Sequence, residues 1–267
     1  MSDDSNPGKP LKTPLSPRQL KIKEDFTKAR GYWASLWDGM LVISPDYIEA
    51  FAELASVPWK TGTLEPKVRE LIYIGIDAST THMYEPGLRL HIRNALKHGA
   101  TKEEITETYQ LTTSQGMHTF MMGLPALTEE FRKAGRGAEV EVVLDDSQKA
   151  LKAEFIEKCG YWSPIWEEML GLSPDYFKAY LRIESIPWMQ GSLSPRVREL
   201  IYIGVDASTT HLYEPSLRIH IRNAMEHGAT LQEIIEVFQL VSVLGIHTCT
   251  MGMPVLVEEL ELAGQPL

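Results

Sequence analysis

RELIYIGIDAS, from Arg69 to Ser79, and HIRNALKHGATKEEITE, from His91 to Glu107, decide the fold of this 267-residue chain. In the first stretch Val68, Leu71, Ile72, Gly75, Ile76 and Ser79 recur at helical spacing, predicting a helix that opens at Leu64-Glu65-Pro66 and buries one face. In the second, Leu88, Ile92, Ala95 and Leu96 fall inward while Arg89, Arg93 and Lys97 fall outward, and Gly99 is placed to end the helix in a left-handed conformation. Thr101 with Glu104 forms a capping box that starts a further helix. Upstream, Ser44-Pro45-Asp46 puts a capping serine before a proline whose missing N–H costs nothing in a first turn.

The same text returns 129 positions later. His82, His91, His98 and His118 recur as His211, His220, His227 and His247, and Trp33, Trp37 and Trp59 recur as Trp162, Trp166 and Trp188. Between Arg69–Thr101 and Arg198–Thr230 only six of thirty-three positions differ, so this segment is where chemistry is expected. The repeat divides the chain into an N-terminal arm (1–23), a first domain (24–131), a linker (132–152), a second domain (153–260) and a short tail (261–267). The fold class expected is all-α, two tandem helical domains, since only EVEVV (139–143) in the linker alternates like a strand. The fourth helix of the second copy, EIIEVFQLVSVLGIHTCTMGM, is apolar nearly all round and belongs at a domain centre or a subunit contact.

A net charge of −10 argues against nucleic acid and anionic membranes as partners, because both need a basic surface. The polar, proline-rich start lacks a signal-peptide core and no apolar stretch is read as a membrane span, so a cytoplasmic protein acting on a small molecule is expected. The two cysteines, Cys159 and Cys249, have Arg30 and Phe120 as counterparts, which leaves no paired thiols for redox chemistry.

His91 and His220 sit mid-helix on an inward face, where each ring nitrogen needs a partner; a hydrogen-bonded core histidine and a functional one both satisfy this. Glu70 and Glu199 are either helix-start carboxylates or partners in chemistry. The turn DASTTHMYE (77–85) is kept in both copies and offers His82, Tyr84 and Glu85, with His211, Tyr213 and Glu214 in the second, to a ligand or to an interface. His118 and His247 lie deep in an apolar helix, as pocket or core residues, whereas His98 and His227 suit a helix end. The histidines are spread over three elements and match no metal-ligand spacing, so no metal and no cofactor are expected.

RELIYIGIDAS, His-x-x-x-Ala and Gly-Ala-Thr-x-x-Glu-Ile-x-Glu, present in both copies, resemble the carboxymuconolactone decarboxylase family, which shares its fold with alkylhydroperoxidase D. The resemblance implies two alkylhydroperoxidase D-like helical domains and a homo-oligomer, a trimer of two-domain chains. It places the family glutamate on Glu70 and Glu199 and the helix histidine on His91 and His220. The peroxidase branch carries Cys-x-x-Cys where this chain has YEPG (84–87) and YEPS (213–216), so thiol peroxidase activity is excluded. The function implied is a cofactor-independent lyase acting on a small carboxylated lactone or aromatic-catabolic intermediate. In that reading His91 and His220 act as general acids with Glu70 and Glu199, and His82, Tyr84, Glu85, His118, His211, Tyr213, Glu214 and His247 contact substrate. A non-catalytic assembly module and a metal-dependent enzyme using the histidines are the alternatives. Both copies keep every one of these groups, which suggests two equivalent sites.

Overall fold

Proline and glycine set the helix boundaries in both halves. In the computed structural model, residues 13–265 are described and contain helices but no strand. The first half comprises α1 (Pro17–Arg30), α2 (Asp38–Ile43), α3 (Pro45–Thr61), α4 (Pro66–Ala78), α5 (Glu85–Lys97), α6 (Lys102–Thr113) and α7 (His118–Lys133). The second comprises α8 (Asp146–Cys159), α9 (Pro164–Leu172), α10 (Pro174–Gln190), α11 (Pro195–Asp206), α12 (Glu214–Glu226), α13 (Leu231–Ser242) and α14 (His247–Leu262). Proline occupies the first turn of α3, α4, α5, α9, α10, α11 and α12, and Gly99 and Gly228 follow α5 and α12 with φ of 83° and 82°. Thr101 and Thr230 form the expected capping boxes with Glu104 and Glu233.

Several expectations need correcting. Helix α1 starts inside the stretch read as an arm, because Ser16 and Gln19 form a capping box there; residues 1–12 lie outside the described region. EVEVV, the one alternating run, forms no strand, in keeping with the all-α expectation: Glu139 ends a short 3-10 turn, Val140 is buried and Val143 lies in solvent. Ser44 and Ser173 stand before their prolines but make no side-chain cap, since each also ends the preceding helix and its backbone answers to both. Leu96 points outward and is half exposed, leaving Ala95 as the buried contact of that turn.

The long fourth helix is broken in both halves by a four-residue 3-10 turn, Ser114–Met117 and Val243–Ile246, which redirects α7 and α14. By length and composition the run Leu231–Leu262, which holds an 18-residue window with a mean hydropathy of 1.7, passes as a membrane-crossing helix, contrary to the sequence reading. Its first part packs Ile234, Val237, Leu240 and Val241 into the protein core, and its buried Glu233 and Glu236 pair with Arg196 and Arg69. Those contacts place α13, the first part of the run, in the core of this fold, while α14 buries only Thr250 and Met253.

The two halves exchange their ends. Helices α4 and α11 cross at the centre, where glycines allow close approach: a Cβ on Gly204 would stand 2.8 Å from Ile72 Cγ2, and one on Gly75 would stand 3.2 Å from Ile201 Cγ2. From there α14 reaches across to the N-terminal helices of the first half, with Trp37 Nε1 donating to Thr250 Oγ1 at 3.2 Å. Reciprocally, Leu124 of α7 joins the cluster built from Phe155, Trp166, Met169, Leu170 and Phe177 of the second half. The other large cluster draws on both halves, with Leu71, Ile72 and Leu111 beside Leu200, Ile201 and Leu240.

A pair of buried ion pairs locks this exchange. Glu236 accepts from Thr63 N (2.6 Å), Leu64 N (3.0 Å) and Arg69 Nε (2.6 Å). Glu107 repeats the pattern with Ser192 N (2.6 Å), Leu193 N (2.9 Å) and Arg198 Nε (2.6 Å). Gly62 and Gly191 make room for these carboxylates, because a Cβ at either would lie within 2.3 Å of a glutamate oxygen.

Candidate active site

Each site is built on two consecutive helices of one half and the turn between them, and is completed by the last helix of the other. Early in α4, Glu70 is fully buried and its Oε2 lies 2.6 Å from Nδ1 of His91 on α5. His91 stacks on Tyr73 with ring centroids 4.3 Å apart, and its Nε2 lies 3.9 Å from Asp77 Oδ2. The second half repeats this: His220 Nδ1 is 2.6 Å from Glu199 Oε2, its ring is 4.2 Å from that of Tyr202, and its Nε2 is 4.0 Å from Asp206 Oδ2. Desolvation pulls the His220 pKa down, but the charge and hydrogen bond of Glu199, together with the charges of Asp206 and Glu184, outweigh it and the net shift is upward. The glutamate thus fixes the ring and favours its Nδ1–H tautomer, leaving Nε2 to face the site.

The turn between α4 and α5 supplies the next layer. Tyr84 N donates to Asp77 O at 2.9 Å, and His82 N donates to Ser79 O at 3.0 Å, so the chain doubles back and brings His82 over Asp77. Met83 and Leu212 pay for this path with φ of 47°, a left-handed conformation that β-carbon sterics disfavour. His82 Nε2 meets Nδ1 of His247 at 2.9 Å, and His247 stacks on Tyr84 with centroids 3.9 Å apart. In the mirror site His211 Nε2 meets His118 Nδ1 at 2.6 Å, and His118 stacks on Tyr213 at 4.2 Å. Convergence is therefore crossed. His247 completes the site of His91, and His118 completes that of His220, where an uncrossed repeat would have kept His118 with His91.

Burial, reinforced by the neighbouring histidines, pushes His118 and His247 down to about 3. Burial also lowers His82 and His211. Asp77 is pushed up to about 7 and Asp206 to about 6 by desolvation, against the pull of His91 and His220 respectively. Both Asp77 oxygens and Asp206 Oδ2 are buried without a hydrogen-bond partner. These aspartates were absent from the sequence-based site. The signal was an acidic residue at the end of an otherwise buried helix face, within the segment the two copies share.

Glu85 and Glu214 do not join the site. Each sits in the first turn of its helix, faces solvent, and pairs with Arg89 or Arg218 one turn on. His98 and His227 cap the ends of α5 and α12 as expected.

The cavities beside the two sites differ, contrary to the expected equivalence. The first, an open cleft enclosing about 50 Å³, is lined by Arg30, Trp37, Phe51, Tyr84, His91 and His247 among others. Arg30 is buried, donates from Nη1 to Ala55 O at 2.6 Å and from Nη2 to Tyr32 Oη at 3.2 Å, and keeps a buried Nε with no partner. The second cavity, enclosing about 20 Å³, is lined by His118, Tyr161, Tyr180, Glu184, Tyr202 and His220 among others. Cys159 replaces Arg30 and Glu184 replaces Ala55, so a buried cation in one half corresponds to a buried acid in the other. Burial pushes the Glu184 pKa up against the hydrogen bonds of Tyr180 and Tyr202, and pushes the Cys159 thiol up to about 12.

The model of the carboxymuconolactone decarboxylase family matches residues 45–116 and again 174–245. The chain belongs to this family. Its two tandem domains also resemble, with a TM-score of 0.88 and 38% identity, the crystal structure of a "putative gamma-carboxymuconolactone decarboxylase subunit" from Burkholderia xenovorans LB400, a match covering 93% of this chain and 100% of that one. Among curated proteins none matches. In this decarboxylase-family chain both matched segments contain the buried glutamate–histidine pair, while α7 and α14, which complete the sites, lie beyond them.

Proposed function

We propose that this chain is a carboxy-lyase that decarboxylates a small carboxylated lactone or a related ring acid, with the first-half site as its main centre. The observation that carries the reading is the Glu70–His91 pair, buried and aimed at a cavity that also holds the Arg30 guanidinium. When the carboxylate leaves as carbon dioxide, the C–C bonding pair passes through the ring double bond to the lactone carbonyl and makes an enolate. Arg30, which lines the cavity, supplies positive charge to that oxygen, and Phe51 and Trp37 give the departing carboxylate an apolar wall. His91 delivers a proton from Nε2 to carbon as the enolate collapses, while Glu70 stabilises the ring charge through Nδ1. The proton is regained from solvent, so each turnover exchanges one carboxylate for one hydrogen.

Carbon dioxide release from a panel of carboxylated five-membered lactones tests this reading. The wild-type chain is expected to turn over at least one, and His91→Gln to lower kcat by about 10²–10⁴-fold with the helical spectrum kept. His220→Gln should have the smaller effect, since its cavity lacks the cation. Absence of release across the panel, or full activity in His91→Gln, would refute it.

A further inference from the structure

We propose that Asp77, His82 and His247, and in the mirror position Asp206, His211 and His118, are two binding sites for a divalent first-row transition ion. Each trio offers two imidazole nitrogens and a carboxylate oxygen lying within 4.8 Å of one another. In the first, His82 Nε2 is 2.9 Å from His247 Nδ1, and Asp77 Oδ1 is 3.6 Å from the former and 4.0 Å from the latter. Ligands about 2.0–2.2 Å from a common ion are separated by about 3–3.6 Å in tetrahedral or octahedral geometry, so this triangle matches one face of such a shell with small adjustments.

The second observation is the carboxylate itself. Asp77 is fully buried and neither oxygen has a hydrogen-bond partner, an arrangement that native interiors avoid unless something else satisfies the group. One of those oxygens faces the two histidine nitrogens. The trio recurs in the second half with the His118 ring turned: its Nδ1 is 2.6 Å from His211 Nε2 while its other nitrogen, Nε2, is 3.7 Å from Asp206 Oδ1, one ligand atom from each residue still lies within 4.8 Å of the others, and Asp206 Oδ2 lacks a partner. All six residues are identical between the copies although the cavities beside them have diverged. A cavity-specific role would have drifted with Arg30 and Glu184; a role common to both sites accounts for residues that did not.

Two imidazoles and one carboxylate suit zinc or iron(II), and unlike an all-carboxylate set they do not favour calcium or magnesium. Three protein ligands also leave positions open to a substrate oxygen. His247 borders the first cavity, so an open position there would serve the carbonyl oxygen of a bound anion. The inference goes beyond the lyase reading and stands or falls without a substrate.

The test uses the full chain, stripped with a chelator and then titrated with Zn²⁺ by calorimetry. Co²⁺ absorption reports the ligand field in parallel. Two equivalents per chain are expected to bind. His82→Ala, His247→Ala and Asp77→Asn should each remove one equivalent, the changes at His118, His211 and Asp206 should remove the other, and His98→Ala with His227→Ala should leave both. Circular dichroism checks each variant's fold; should Asp77→Asn unfold, the less buried His82→Ala carries the test. Absence of binding at micromolar Zn²⁺, or binding that survives loss of His82, His247, His118 and His211 together, would overturn the proposal and leave a hydrogen-bonded histidine pair beside a protonated aspartic acid.

Discussion

Removing the Glu236 carboxylate should unlock the exchanged halves. In Glu236→Ala the Arg69 guanidinium, about 5% exposed as a residue and stacked over Trp59 at 5.0 Å, stays buried with its carboxylate gone, and the backbone N–H groups of Thr63 and Leu64 lose their acceptor. Breaking a buried ion pair from one side costs about 3–5 kcal/mol, because the remaining charge is stranded in a medium that cannot solvate it. The three bonds are not counted separately on top of this, since water partly re-enters. Glu236→Gln keeps one acceptor oxygen but turns an N–H₂ toward either Arg69 or the two backbone donors, so a loss of about 1–3 kcal/mol is expected. Urea denaturation followed by helical circular dichroism and tryptophan fluorescence measures both. The repeated bonding pattern requires Glu107→Ala to match Glu236→Ala within about 1 kcal/mol, its partners being equivalent. A loss below about 1 kcal/mol in either alanine variant would show that the carboxylates do not hold the halves together.

Arg30→Met should keep much of the side chain's apolar bulk but remove the only buried cation among the first cavity's described lining residues, lowering kcat/KM on anionic substrates by about 10²–10³-fold, with partial recovery in Arg30→Lys; unchanged kinetics in a folded variant would remove Arg30 from the site. Glu184→Gln should stabilise the chain at neutral pH. Its folded-state pKa lies above the unfolded value, so the native state binds the proton more tightly and Glu184's contribution falls as pH rises from about 4.5 through the raised value. The gain over wild type should vanish near pH 4, and denaturation midpoints showing the opposite trend would contradict the assignment.

Much of the architecture could be read locally. Pro66, Pro195, Gly99 and the Thr101 and Thr230 capping boxes act within a few residues of themselves, and the structure places them at helix boundaries as expected. The Glu70–His91 pair was legible because its partners lie in adjacent helices with similar surroundings in both copies. The exchange was not. With near-identical copies, His82 meeting His118 and His82 meeting His247 are the same chemical contact, so no pattern within a repeat distinguishes them; only the path of α7 and α14 beyond their 3-10 turns decides. Arg30, noted only as the counterpart of Cys159, was not read as a site residue for the reverse reason: its interest lies in a difference, Arg against Cys, and the segment that commands attention is the one with fewest differences.

The Arg30/Cys159 and Ala55/Glu184 differences give the covalent duplication a meaning of its own. Two identical chains meeting on a twofold axis must present the same side chain on both sides of it, so a cation at one cavity entails a cation at the other. Joining the copies through residues 132–152 lifts that constraint while preserving a crossed arrangement in which neither half owns a complete site. One cavity is then free to specialise while its twin continues to supply the histidine that the specialised cavity needs. The stretch between the halves, unremarkable as sequence, turns a symmetric pair into a molecule with a front and a back.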